Sequence, residues 1–184
     1  MSPRQMRIIY LSCEIELMYM EVPELYQKRV LVLGCGNILF GDDGFGVEVA
    51  NCLNERYDLP SDVEVMDVGT GVRDILFNMV LMQGGPSKLI VVDAVDKGRR
   101  PGEVFKISLD EIPKNKVDDF SMHQMPSSNM LSELRDFCGV DVVVVACQVK
   151  RIPEEIETGL SEEVKKAIPL ASELIVECLI KENG

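Results

Sequence analysis

Apolar residues fall along the chain in two patterns, and their order lays out an alternating architecture. Val30 to Leu33 and Leu89 to Ala94 are apolar at almost every position, as is most of Asp141 to Cys147. Such unbroken runs belong to strands of a parallel sheet covered on both faces. Val63 to Val68 alternates apolar with polar, and so does Gly102 to Leu109 behind the turn Gly98-Arg99-Arg100-Pro101-Gly102, the pattern of strands with one face less covered. Val47 to Tyr57 instead spaces Val47, Ala50, Leu53 and Tyr57 by three and four residues, which makes one face of a helix ending before Pro60. A second helix is expected after Gly69-Thr70-Gly71, running to about Met82, where Gly84-Gly85-Pro86 stops it. A third runs from His123 to Cys138 with Met130, Leu131, Leu134 and Phe137 inward, and Pro113 to Ser121 before it reads as a polar loop. The last is Ser161 to Lys181, opened by Ser161-Glu162-Glu163 as a capped, acidic first turn.

Strand, helix, strand, helix, strand, joined by right-handed crossovers, produces a parallel sheet with helices on both faces. The fold expected is α/β: one three-layer α/β/α domain around a mostly parallel five-stranded sheet, with Gly102–Leu109 as an antiparallel edge strand. A chain of 184 residues is long enough for one such core. Residues 1–28 are set apart as an N-terminal extension without an assigned role, Met20 being a candidate translation start, and residues 29–184 form the domain.

Charge narrows the partners. A formal net charge of -12 disfavours nucleic acid and anionic membrane surfaces, which attract basic fields. Proteins or small molecules remain. The six cysteines are scattered without a C-x-x-C pair, which points to buried reduced thiols in a reducing compartment. No apolar stretch reaches the length of a membrane span, and the N-terminus lacks the apolar run of a secretory signal. A soluble cytoplasmic protein is expected.

The chemistry concentrates where the first strand ends. Val30 to Gly46 reads VLVLGCGNILFGDDGFG: a strand, a Gly34-Cys35-Gly36-Asn37 turn, the paired acids Asp42 and Asp43, and a glycine-flanked helix start. Gly-x-Gly after a strand is also the beginning of nucleotide and S-adenosylmethionine loops. Here Asn37-Ile38-Leu39-Phe40 stands where a third glycine would leave backbone bare. Asp42 could equally be the N-cap of the next helix. In an open α/β sheet, chain leaving a strand emerges at the carboxyl edge, where ligands bind. Topology therefore brings Asp43, following the first strand, Asp93, ending the third, and His123, opening a helix, toward one edge. His123 is the chain's one histidine. A mixed oxygen and nitrogen set of this kind suits a divalent first-row metal.

In its ordered motifs the sequence resembles the hydrogenase maturation endopeptidases, which remove a C-terminal extension from the large subunit of nickel-iron hydrogenases. The resemblance rests on Gly34-Cys35-Gly36-Asn37 with Asp42-Asp43-Gly44-Phe45-Gly46, on Asp67-Val68-Gly69-Thr70, on Asp93 in LIVVDAV, on His123 in MHQMP, and on Pro153-Glu154 with Gly159-Leu160-Ser161. It extends over about residues 29–182. The segment Met125-Pro126-Ser127-Ser128-Asn129 is similar to archaeal members that process the coenzyme F420-reducing hydrogenase.

That resemblance implies an endopeptidase whose metal-contacting residues are Asp43, Asp93 and His123. The metal it implies is nickel, brought by the hydrogenase large-subunit precursor, with no organic cofactor. Three protein ligands leave positions open for ligands the substrate supplies. The attacking group is not identified by the sequence, because neither a Ser-His-Asp set nor a Cys-His pair can be assembled without using His123 twice. Asp67 is the candidate general base or loop organiser. A non-catalytic nickel-binding assembly factor and a nucleotide-binding enzyme are the competing readings.

Overall fold

The computed structural model describes residues 24–81, 85–111 and 128–180. His123, the Pro113–Ser121 segment, Met20 and Cys13 lie outside the described residues. Among these residues the sheet has five strands, β1 (Val30–Cys35), β2 (Val63–Gly69), β3 (Lys88–Val95), β4 (Val104–Ile107) and β5 (Asp141–Gln148), in the spatial order β2-β1-β3-β5-β4. β2, β1, β3 and β5 run parallel, while β4 pairs antiparallel with β5 at the edge. This is the mostly parallel sheet expected, with the antiparallel strand where the alternating Gly102–Leu109 pattern put it.

Helices cover both faces: α1 (Phe45–Arg56), α2 (Val72–Leu81), α3 (Ser128–Asp136), the short α4 (Glu162–Lys165) and α5 (Ile168–Ile180). The two-residue period of a strand divides the apolar runs between them. Val30 and Val32 of β1, with Ile90 and Val92 of β3, join the core beneath α1 and α5. Leu31 and Leu33, with Leu89 and Val91, join the core beneath α2 and α3. Every residue of β1 and β3 is buried, so neither strand could carry a polar face.

Helix boundaries depart from the periodic reading in three places. α1 starts at Phe45, so Gly46 is inside its first turn and Gly44 is the N-cap. The closing helix is broken: Ala167 N–H turns back to the Val164 carbonyl, and Pro169 has no N–H to continue an α-helical ladder, so α5 begins anew at Ile168. Phe137 lies past the end of α3 and is 86% exposed, whereas Leu131 and Leu134 are sealed in the core. The chain turns away there through Gly139 in the left-handed region (φ 70°), and Phe137 leaves the inward face with it.

One contact sets how the site is built. The first turn of α1 sits directly on the ends of β1 and β3. A Cβ on Gly46 would lie 2.2 Å from the Val92 carbonyl oxygen and 2.3 Å from that of Cys35, and one on Gly34 would lie 2.3 Å from the Gly46 carbonyl oxygen. These neighbours are all backbone and cannot swing away. Gly46→Ala is therefore expected to cost about 2–3 kcal/mol or more, at the upper end for overpacking, and to lower the melting temperature by several degrees in a thermal scan. An unchanged melting temperature would show that α1 can lift off the sheet at little cost.

Candidate functional site

All three strand-associated acids lie at the carboxyl edge of the sheet. Asp93 is in the last turns of β3, opposite Ala146 of β5. Asp67 sits opposite Gly34, where β2 and β1 lose register and Val68 is left unpaired, a bulge that ends regular pairing beside the loop. Asp42 and Asp43 lie in a single 3-10 turn, Gly41–Gly44, just ahead of α1. Negative charge is favoured there by the unpaired N–H groups and the dipole of the helix start.

The paired acids have separate tasks. Asp42 is 1% exposed and faces the other end of the chain. Its Oδ2 accepts hydrogen bonds from Lys150 N–H (2.8 Å), Arg151 N–H (3.1 Å) and the Ser161 hydroxyl (3.0 Å), and its Oδ1 accepts one from Ser161 N–H (2.6 Å). Its carboxylate is thus a clamp holding residues 150–161 to the glycine loop. The N-cap reading of Asp42 is corrected accordingly, since Gly44 holds that position for α1. Ser161 stands at the N-cap of α4 ahead of the acidic Glu162 and Glu163 as expected, but its hydroxyl serves Asp42 and makes no cap bond to the helix. Sequence reasoning missed this clamp because its partners lie more than a hundred positions away.

Asp43 turns toward the site. Its Oδ2 accepts the Asn37 N–H at 2.8 Å, and its charge acts on Asp93. Asp93 is 7% exposed and accepts only the adjacent Ala94 N–H, at 2.8 Å, among hydrogen bonds described for it. Burial, opposed in part by that hydrogen bond and reinforced by the Asp43 charge, raises the Asp93 carboxyl from its usual range to about 7. Two buried carboxylates of which one resists ionisation form a place that favours a cation. Among the described residues no third His, Cys, Asp or Glu completes a metal-binding group with them.

Asp67 stands apart. It is exposed, its Oδ1 accepts the Gly69 N–H at 2.9 Å, and it lines a cleft of about 210 Å³ with Gly36, Asn37, Ile38 and Val47. Cys35, between the acids, is buried, and burial with the Asp93 and Asp67 charges holds its thiol well above the ordinary range. A thiol so placed is not a thiolate nucleophile at neutral pH. The glycine loop is equally committed: a Cβ at Gly36 would fall on the Asp43 carbonyl oxygen, 1.8 Å away. The backbone that a nucleotide phosphate would need is packed against the protein's own acidic turn.

Residues 47–178 match the family model described as hydrogenase maturation protease. The chain is 44% identical to a protein of Methanocaldococcus jannaschii named as a hydrogenase maturation protease, over 82% of this chain and 96% of that protein. It is 41% identical to the coenzyme F420 hydrogenase subunit delta of Methanothermobacter thermautotrophicus, over 83% of this chain and 95% of the other. Among solved structures it superposes on the hydrogenase maturating endopeptidase HybD from Escherichia coli with a TM-score of 0.68 and 33% identity, covering 85% of this chain and 94% of that one.

Two outcomes follow for the acids. Asp42→Ala leaves three backbone donors and a hydroxyl without their acceptor; at 1–3 kcal/mol for an orphaned donor, offset where the loop rehydrates, the expected loss is roughly 2–4 kcal/mol in denaturant unfolding. For Asp93, the folded chain keeps a proton between about pH 4 and pH 7 that the unfolded chain, with an ordinary carboxyl, has lost. Stability supplied by that protonated form therefore declines as pH rises through the window, by at most about 1.4 kcal/mol per pH unit. Asp93→Asn should remove this decline and be the more stable protein at pH 8 in chelator-treated buffer. Parallel stability curves for parent and variant from pH 4 to pH 8 would show that Asp93 titrates normally.

Proposed function

Because the chain belongs to the hydrogenase maturation proteases, peptidases of the hydrolase class, we propose that it removes the C-terminal extension of a nickel-iron hydrogenase large-subunit precursor once nickel is in place. The observation that carries this reading is the pairing of Asp43 and Asp93 at the carboxyl edge, where burial and mutual repulsion make a cation welcome. A nickel ion seated in the precursor relieves that repulsion, and an empty precursor does not. Asp43, Asp93 and His123 are the residues assigned to nickel, with His123 supplying the nitrogen ligand from the segment leading to α3. In this reading the nickel belongs to the substrate, and the enzyme needs no organic cofactor.

Asp67 is assigned the role of general base or loop organiser. Its exposure in the cleft gives it access to water and to an entering chain. Cys35 is left out of the chemistry, since its thiol is held protonated. The relative that is a coenzyme F420 hydrogenase subunit supports that class of hydrogenase as the substrate. Residues 29–184 are taken as the protease domain. Among the described residues no helix is long and apolar enough to cross a membrane. The enzyme is placed in the cytoplasm by this reading, with the precursor rather than nucleic acid or membrane as its partner.

The test mixes purified protein with nickel-loaded and nickel-free precursor and follows the mass of the large subunit. Shortening of the loaded form alone is expected; equal cleavage of both, or association without cleavage, overturns the proposal. His123→Ala should weaken binding of the loaded precursor, while Asp67→Ala should slow cleavage with binding retained. Should His123→Ala bind and cut like the parent, the nickel-reading role of that residue falls.

A further inference from the structure

The glycine loop ends in apolar side chains that the core does not use. Ile38 is 50% exposed and Leu39 is 42% exposed, and across from them Ile156 is 71% exposed. They come from segments more than a hundred residues apart, yet backbone bonds join them: Glu157 N–H donates to the Leu39 carbonyl (3.0 Å), Gly41 N–H donates to the Glu157 carbonyl (2.7 Å), and Phe40 and Glu157 form a one-residue parallel bridge. Asn37 braces the near side, its Oδ1 accepting the Leu39 N–H at 3.0 Å. The Asp42 clamp braces the far side through Lys150, Arg151 and Ser161. The three side chains are therefore held out toward water by a rigid frame.

From this placement we infer that Ile38, Leu39 and Ile156 form the surface on which the hydrogenase precursor docks, through an apolar, uncharged segment that leads into the Asp67 cleft. The inference rests on the function proposed above and names the contact by which the precursor is held. Three features select that occupant. Ile38 lines the cleft with Asp67, and its neighbour Asn37 lines the same cleft and donates its N–H to Asp43, so the ridge borders the cleft and adjoins both acids. The net charge of -12 disfavours an acidic partner segment, and the exposed Ile38, Leu39 and Ile156 side chains match an apolar one. The ridge is ordered before binding, so little entropy is lost when it is covered.

The contact does not involve nickel, and this separates the inference from the nickel-reading function. Affinity for precursor, loaded and nickel-free, is measured by titration for the parent, for the triple variant Ile38→Ser, Leu39→Ser, Ile156→Ser, and for Asp93→Asn. The triple variant is expected to lose at least about tenfold in affinity for both forms, the scale of a truncated apolar hot spot. Its melting temperature should stay within a degree or two because the side chains are already exposed. In cleavage assays its KM should rise. Asp93→Asn is expected to lose preference for the loaded form only. Unchanged affinity in the triple variant overturns the inference whatever happens to nickel preference, as does a parent that binds neither form. A parent that self-associates through this ridge, with the variant monomeric and precursor binding unaltered, overturns it as well. Loss of affinity for both forms without any nickel preference in the parent supports the ridge and removes the nickel reading.

Discussion

The structure depends on how closely the start of α1 approaches the ends of β1 and β3. Gly34 and Gly46 have no side chains, and backbone meets backbone where any Cβ would collide. That approach draws the Gly41–Gly44 turn in over the carboxyl edge. Without it, Asp43 would hang from a loop in solvent, away from Asp93. With it, two carboxylates share a poorly solvated place, and one of them holds its proton up to about neutral pH.

The adjacent acids then divide the work by facing opposite ways. Asp43 points into the site and is fixed by Asn37 of its own loop. Asp42 points out of it and gathers the donors of residues 150, 151 and 161. A buried carboxylate is tolerable only when its lone pairs are taken, and here four donors from a distant segment take them. The loss of charge hydration is offset by a frame that carries Ile156 to the side of Leu39. The exposed ridge and the charged pair are thus parts of one assembly at the sheet edge.

Relatives over most of the chain's length place it among peptidases that mature hydrogenases. Within that fold the acids at the sheet edge sit in different surroundings. Asp43 and Asp93 are buried, while Asp67 lies exposed in a cleft beside the glycine loop. Charge effects are stronger at the poorly solvated pair than at the exposed Asp67.

Much of this was legible in the amino-acid order. Strands buried on both faces leave unbroken apolar runs, so β1, β3 and β5 could be read directly, and the strand–helix alternation required a parallel sheet. The ends of those runs placed Asp43, Asp67 and Asp93 at one edge, since chain leaving parallel strands emerges there. Helix ends were less legible. The break before α5 and the outward turn of Phe137 follow from a missing N–H and from a left-handed glycine acting within packed surroundings, neither of which leaves a periodic trace. Only the tertiary structure gave the physical reason that Asp43, already singled out from the sequence, faces the site while Asp42 does not. Their difference comes from partners at positions 150, 151 and 161, brought near by the return of the chain after β5, and hydrogen bonds over that separation have no signature in local sequence. The raised pKa of Asp93 has the same origin: burial is a property of the assembled sheet and helices, and no stretch of sequence around Asp93 contains it.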